Sequence, residues 1–192
     1  MKFWRESSPA CRAAVVTTAV TLLMVVVLLL MGRVVWCSCG QLLPWSGDVN
    51  SEHNSQHLLD HYSLTHLLHG LLFYALITAI RPRSTVQLRY LLTIVIEALW
   101  EILENTPMVI ERYRAATISL NYYGDSVVNS VADVMCCACG FLLAAKLAPW
   151  KSLTVFIAAE LLLLIAIRDC LTLNIIMLVY PLDVIREWQM GA

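Results

Sequence analysis

The chain has 192 residues, of which 59% are hydrophobic and 14% charged, and its formal net charge is −1. Soluble domains average about 45–50% apolar and about 25% charged residues. The composition therefore excludes a disordered chain, a nucleic-acid-binding domain and an ordinary water-soluble enzyme. It predicts an all-α membrane protein, in which about 20 residues per crossing allow four to six helices in a single domain.

We expect a bundle of five transmembrane helices, with four to six possible, in one polytopic domain. The first apolar run is longer than the apolar region of a signal peptide and no cleavage site follows it, which predicts an uncleaved helix. Prolines and charged turns separate the later runs. The segment after residue 170 is too polar to span comfortably and predicts a C-terminal interfacial helix, with re-entry as a sixth span as the alternative. The predicted spans are residues 13–31, 58–80, 88–103, 125–147 and 152–170.

The positions of lysine and arginine predict the orientation, because cytoplasmic loops carry an excess of both. Eight of the 13 basic residues fall on one side if the N-terminus is cytoplasmic: Lys2, Arg5, Arg12, Arg81, Arg83, Arg89, Lys146 and Lys151. The C-terminus is then on the outer side, as is the segment that holds Cys37 and Cys39. These two thiols could pair in an oxidising compartment, although a bridge across one residue is strained.

Ionisable side chains inside a bilayer are costly and usually functional. Glu97, Glu101 and Glu104 follow the spacing i, i+4, i+7, which places them on one face of the third helix. The fourth helix has a second polar stripe, formed by Asp125, Ser126, Asn129, Ser130 and Asp133. At 1.5 Å per residue, Glu97 and Asp133 are expected to reach the same depth near mid-membrane and to share one polar cavity.

The polar groups concentrate in the outer half of the predicted bundle, where all five histidines also fall. His66 and His69, at i and i+3, are expected to face inward, whereas His53 and His57 are expected to be exposed loop residues. The inner half is almost purely apolar, with Glu160 as the exception. This asymmetry predicts a polar cavity open to the outer side. The alternative is that the carboxylates pair with arginines only to hold the bundle together.

Three strings of the sequence resemble an uncharacterised family of bacterial multi-pass inner-membrane proteins, which carries a domain-of-unknown-function label. The strings are Ser55–Tyr74 (SQHLLDHYSLTHLLHGLLFY), Ile96–Arg114 (IEALWEILENTPMVIERYR) and Tyr122–Val134 (YYGDSVVNSVADV). The resemblance covers most of the chain beyond the first helix. It implies a small multi-pass protein of the inner membrane, with its outer side in the periplasm, and supplies no activity.

A smaller set of residues is similar to the pattern of VanZ-like membrane proteins: Glu97, Glu101, Arg112, Asp125, Asn129 and Gly140. The histidines and the segment Glu104-Asn105-Thr106-Pro107 depart from that pattern. The similarity therefore concerns the fold, which does not assign a function.

Carboxylates beside imidazoles favour a membrane enzyme that acts on a lipid or lipid-linked substrate, by metal-assisted hydrolysis or by metal-free acid–base catalysis. The expected catalytic residues are His66, His69, Glu97, Glu101, Asp125 and Asp133. The expected substrate-binding residues are Arg112, Arg114, Asn129, Ser130 and Arg168, whose arginines could bind a phosphate head group. A divalent metal ion is possible, with His66, His69, Glu101 and Asp125 as ligands. The alternatives are an accessory subunit of a membrane complex, or an ion- or proton-coupled transporter.

Overall fold

The computed structural model describes residues 8–191, and this part of the chain contains eight α-helices and no extended strand. The protein is therefore all-α, as predicted; Lys2 and Arg5 lie outside the described residues. The helices are α1 (Pro9–Leu30), α2 (Ser63–Ile80), α3 (Val86–Glu104), α4 (Pro107–Ala116), α5 (Val127–Lys146), α6 (Pro149–Ile167), α7 (Leu171–Val179) and α8 (Asp183–Met190).

Four helices, α1, α2, α5 and α6, are long and apolar enough to cross a membrane. Helix α3 has 19 residues but carries Arg89 and three glutamates. It packs against α1, α2 and α5, so these side chains are shielded by protein. The guanidinium of Arg89 donates to Thr78 Oγ1 at 2.8 Å and to the Pro82 carbonyl at 2.9 Å, which fixes the turn between α2 and α3.

Hydroxyl and carboxylate caps set the helix starts. The side chains of Thr85, Thr106 and Ser126 each accept a hydrogen bond from a backbone N–H in the first turn of α3, α4 and α5. The carboxylate of Asp60 accepts hydrogen bonds from the backbone N–H of Tyr62 and of Ser63. Helix α2 consequently begins at Ser63, five residues after the predicted start of the second span.

Helices α2 and α5 cross in backbone contact at two glycines. A Cβ atom added to Gly70 would lie 2.9 Å from the carbonyl carbon of Gly140 and closer still to the Cys137 carbonyl oxygen. Small residues allow membrane helices to approach in this way. Cys137 is fully buried at this crossing and acts as a small packing residue, whereas Cys139 is exposed.

The C-terminal segment forms two short helices. Helices α7 and α8 have nine and eight residues, too few to span a membrane, so the described residues contain no sixth span. The carboxylate of Glu160 accepts hydrogen bonds from the backbone N–H of Leu171 and of Thr172, at 2.9 and 3.1 Å. This mid-helix glutamate of α6 thereby caps α7, which packs against α4 through a hydrogen bond from Tyr113 Oη to Asn174 Oδ1.

The loop of residues 31–62 folds over the start of α5. The backbone N–H of Ser126 donates to the Ser55 carbonyl at 2.9 Å, and that of Val127 donates to the Val34 carbonyl at 2.8 Å. The expectation that His57 is exposed is wrong: the residue is 3% exposed, and its ring packs edge-on against Trp36.

Candidate functional site

A cluster of carboxylates surrounds His66 where α2, α3 and α5 meet. His66 Nδ1 lies 2.6 Å from Glu97 Oε1 and 3.2 Å from Glu101 Oε1, and His66 Nε2 lies 4.0 Å from Asp133 Oδ2. His69 Nδ1 lies 3.1 Å from the other oxygen of Glu97. Glu97 and Asp133, which were expected to share one polar cavity, both lie beside the imidazole of His66. We call these five residues the carboxylate–histidine cluster.

The cluster contains more acid than base. Within the described residues its basic partners are the two histidines alone. Glu97 and Glu101 are fully buried, and both carboxylate oxygens of Glu101 and Oδ1 of Asp133 have no hydrogen-bond partner. Buried charges without partners are strongly unfavourable. The cluster therefore has to hold additional protons or a cation.

The predicted arginines lie away from this cluster. Arg112 Nε donates to the Leu178 carbonyl at 2.8 Å, Arg114 Nε donates to the Leu120 carbonyl at 3.3 Å, and Arg168 donates to a carbonyl of α8. Each of these three guanidinium groups is held by backbone oxygen. The alternative, in which the carboxylates pair with these arginines to hold the bundle together, is therefore not found among the described residues. Their role in binding a substrate stays a prediction.

Asp125 belongs to a separate hydrogen-bonded group on the loop side of the cluster. Asn105 Nδ2 donates to Asp125 Oδ2 at 2.8 Å, the Asp125 backbone N–H donates to Asn105 Oδ1 at 2.7 Å, and Tyr122 Oη donates to Asp125 Oδ1 at 3.1 Å. Burial, and next the charge of Asp125, raise the pKa of Tyr122 well above its usual value of 10, which keeps the phenol a donor. Both oxygens of Asp125 thus have protein partners.

The two predicted polar side chains beside Asp125 are buried and serve neighbouring elements. Asn129 Nδ2 donates to the Leu58 carbonyl at 3.5 Å, which links α5 to the loop of residues 31–62. Ser130 Oγ accepts a hydrogen bond from Asn105 Nδ2 at 3.4 Å. They join α5 to its surroundings near the cluster and are not among the residues that line the cavity described next.

A cavity of about 460 Å³ extends from the cluster to the surface of the bundle. Its polar end includes His66, His69 and Asp133. Apolar side chains at its other end, which come from α2, α3 and α7, are exposed on the outside of the bundle: Leu72, Ile96, Leu99, Leu103 and Ile175. Its lining residues include no lysine or arginine. The cavity therefore joins an acidic polar part to apolar side chains that are exposed on the outside of the bundle.

Two overlapping sets of side chains, one within the cluster and one that adds Glu104, have the geometry to bind a metal ion. One ligand atom each from His66, His69 and Glu97 lie within 4.8 Å of one another, and so do those from His66, Glu101 and Glu104. Imidazole and carboxylate ligands suit divalent zinc, manganese or iron, and three protein ligands leave a coordination position open. Of the predicted metal ligands, Asp125 is absent from both sets.

Sequence reasoning missed Asn105, which is 2% exposed and links Asp125 to Ser130. In the sequence, Asn105 stands out only as part of the segment Glu104-Asn105-Thr106-Pro107. The same spacing that identified Glu97 and Glu101 continues to this residue at i+8, and this periodicity is the signal that could have found it.

A model of the family described as protein of unknown function (DUF2585) matches residues 28–191. The chain is 51% identical over 162 residues to a UPF0314 protein of Sinorhizobium fredii, covering 84% of this chain and 82% of that protein. It is 49% identical over 160 residues to a UPF0314 protein of Brucella anthropi (83% and 81% covered), and 46% identical over 159 residues to one of Paracoccus denitrificans (83% and 82%). No solved structure matches the chain.

Proposed function

We propose that this chain, which belongs to the DUF2585 family of proteins of unknown function, is a metal-dependent membrane enzyme that acts on the polar head of a lipid or lipid-linked substrate. One observation supports the proposal above all: a single cavity joins the buried carboxylate–histidine cluster to an apolar opening on the surface of the bundle. An amphiphile fits such a cavity with its acyl chain at the opening and its head at the cluster.

The acidity of the cluster supports a bound cation. The carboxylates repel an anionic head group, and the lining residues provide no lysine or arginine to offset this repulsion. A divalent ion held by His66, His69 and Glu97 would neutralise the cluster and polarise a phosphate or ester oxygen of the head group. In this proposal Glu101, whose Oε1 lies 3.2 Å from His66 Nδ1, would accept a proton from the attacking water or hydroxyl.

The proposal includes a location for the site. Lys and Arg residues favour the side of the turn between α2 and α3, which supports a cytoplasmic position for that turn in a multi-pass protein of the inner membrane. The cluster and the loop of residues 31–62 then lie on the periplasmic side, with the C-terminus. The substrate would be a lipid of the periplasmic leaflet.

A transporter is less well supported than an enzyme. A proton or cation pathway needs polar groups on both sides of the cluster. Toward the turn between α2 and α3, the bundle is filled by a buried core that includes Tyr90, Ile94 and Phe141. A closed core on that side and a lateral opening on the other suit chemistry on a membrane lipid.

The test uses the full chain reconstituted in vesicles of a bacterial phospholipid extract. Lipids are analysed by mass spectrometry after incubation with Zn²⁺ or Mn²⁺, and with a chelator in parallel. We expect a metal-dependent change in one lipid class with the wild type, and loss of that change in His66→Gln and Glu101→Gln. Glu111→Gln, an exposed glutamate on α4, is the matched control and should keep the activity.

Two results would overturn the proposal. One is an unchanged lipid composition with every metal tested, including vesicles made from lipids of the source membrane. The other is a stable partner protein that co-purifies with the chain and still binds when Glu101 is replaced, without any lipid turnover. That second result favours the accessory subunit.

A further inference from the structure

Four further metal-ligating side chains meet in the loop of residues 31–62, apart from the carboxylate–histidine cluster. Cys37, Cys39, His53 and His57 each offer one ligand atom, and the four atoms lie within 4.8 Å of one another. Cys37 Sγ is 3.3 Å from His53 Nδ1, and Cys39 Sγ is 3.9 Å from His57 Nε2. Two thiols and two imidazoles, drawn from two separate stretches of the loop, thus converge on one point.

We propose that these four residues form a structural zinc site. In a tetrahedral zinc site, with bonds of about 2.3 Å to sulfur and about 2.0 Å to nitrogen, ligand atoms are separated by about 3.6 Å. The two sulfur–nitrogen distances of this loop fall on either side of that value. A set of two cysteines and two histidines is among the common ligand sets of structural zinc. All four positions are filled by protein, so the site is closed.

The charge and the proton balance of the loop agree with a divalent ion. On binding Zn²⁺, the two thiols of Cys37 and Cys39 release their protons to solvent, and the two thiolates neutralise the ion. The imidazoles of His53 and His57 bind as neutral ligands. The assembled site carries no net charge, which suits its partly buried position beside a membrane.

Hydrogen bonding within the protein does not account for the position of the His57 ring. This side chain is 3% exposed, and its Nδ1 has no hydrogen-bond partner. A buried polar nitrogen without a partner costs about 1–3 kcal/mol. Both cysteines are free thiols and do not form the strained bridge considered from the sequence. The buried ring is thus held in place at a cost that a metal ion bound to Nε2, the nitrogen that faces Cys39 Sγ, would offset.

The linear order of the ligands also fits. The pattern is C-x-C, then 13 residues, then H-x₃-H. Zinc sites of two cysteines and two histidines use about 12–15 residues between the pairs and about three to five between the histidines. The spacing within the cysteine pair is one residue, shorter than the usual two to four. The backbone N–H of Cys37 donates to the Gln56 carbonyl at 3.1 Å, so the two stretches are already paired beside the ligands.

The site would organise the wall of the cavity. Asn54 and Ser55 lie between the two histidine ligands, and both line the cavity. A metal ion that fixes His53 and His57 therefore fixes this part of the wall, and through the Ser55 carbonyl the start of α5. The inference concerns the loop alone and does not rest on the proposed enzymatic function.

The first experiment uses cobalt as the probe, because the carboxylate–histidine cluster could bind metal as well. Co²⁺ bound to thiolates gives a sulfur-to-metal charge-transfer band, which carboxylate and imidazole ligands do not give. We expect this band in the reduced full-length protein in detergent, in His66→Gln and in Cys11→Ser, the matched control at an exposed cysteine. The band should weaken in Cys37→Ser and in Cys39→Ser, each of which keeps one thiolate, and should be lost in the double variant Cys37→Ser/Cys39→Ser.

A second experiment uses the wild-type chain, so that a variant that fails to fold cannot obscure the result. Maleimide labelling of each cysteine is followed by peptide mass spectrometry, with Zn²⁺ and with a chelator. We expect Zn²⁺ to suppress labelling of Cys37 and Cys39 and to leave exposed Cys11 unchanged. The proposal is overturned if labelling of the pair is the same with and without Zn²⁺. It is also overturned if Co²⁺ binds without the thiolate band, or if the band persists in the double variant Cys37→Ser/Cys39→Ser.

Discussion

Replacing Gly70 by alanine should separate α2 from α5 and weaken the fold. The added Cβ would lie 2.9 Å from the Gly140 carbonyl carbon, whereas carbon atoms pack at about 3.5–4.0 Å. The two helices must therefore move apart by about 1 Å. Overpacking of this kind typically costs about 1–3 kcal/mol. We expect the upper end of this range because the Gly140 carbonyl carbon and the Cys137 carbonyl oxygen are backbone atoms. The movement also lengthens the distance between His66 Nε2 and Asp133 Oδ2, which is already 4.0 Å.

The assay is thermal unfolding of the purified protein in detergent, followed by tryptophan fluorescence. A loss of about 3 kcal/mol corresponds to a decrease in Tm of about 6–12 °C for a chain of this size. Ala75→Leu adds a larger group at an exposed position of the same helix and should leave Tm nearly unchanged. A Gly70→Ala protein whose Tm matches that of the control would refute the close crossing of the two helices.

Three further predictions address orientation, the two acidic groups and pH. Ser51→Cys should react with an impermeant maleimide in intact cells, whereas Ser84→Cys should react only after permeabilisation. Labelling of Ser84→Cys in intact cells would contradict the proposed orientation. Glu101→Ala should keep or slightly raise Tm because it removes a carboxylate without hydrogen bonds. Asp125→Ala should lower the free energy of unfolding by about 1–3 kcal/mol because it removes the acceptor of two buried donors, Asn105 Nδ2 and Tyr122 Oη. Equal losses of Tm would contradict this distinction. Burial raises the pKa of Asp169 from 3.8 to about 6. Between these pH values the folded state holds a proton that the unfolded chain has released, so the free energy of unfolding should fall as pH rises from about 4 to 6. Asp169→Asn should remove this part of the pH profile of stability, and an unchanged profile would count against the prediction.

The carboxylate–histidine cluster could be predicted from sequence because helix geometry is regular. The spacing of Glu97 and Glu101 fixes a common face, and a constant rise per residue places Asp133 at a matching depth. Helix α5, which carries Asp133, is long and apolar, so its existence follows from composition. The same periodicity, applied one turn further, extends to Asn105.

Residues outside the long helices could not be placed in this way. A loop has no repeating geometry, so the burial of His57 depends on contacts with other stretches of the loop, such as the one that holds Trp36. The partners of Arg112 are carbonyl groups of α7, and no pattern in the sequence indicates which acceptor an arginine finds. Helix α4 was overlooked, although Thr106-Pro107 is a typical helix start.

The pairing between the loop of residues 31–62 and the first turn of α5 has a consequence for the biogenesis of the protein. The loop is synthesised before α5, and two long helices lie between them in the chain. Until the N–H groups of Ser126 and Val127 arrive, the carbonyls of Ser55 and Val34 have no partner. Insertion of α5 brings these donors together with Asp133, so the loop and the cluster are completed in the same step. A nascent chain that stops before residue 126 contains most of the polar side chains but can assemble neither.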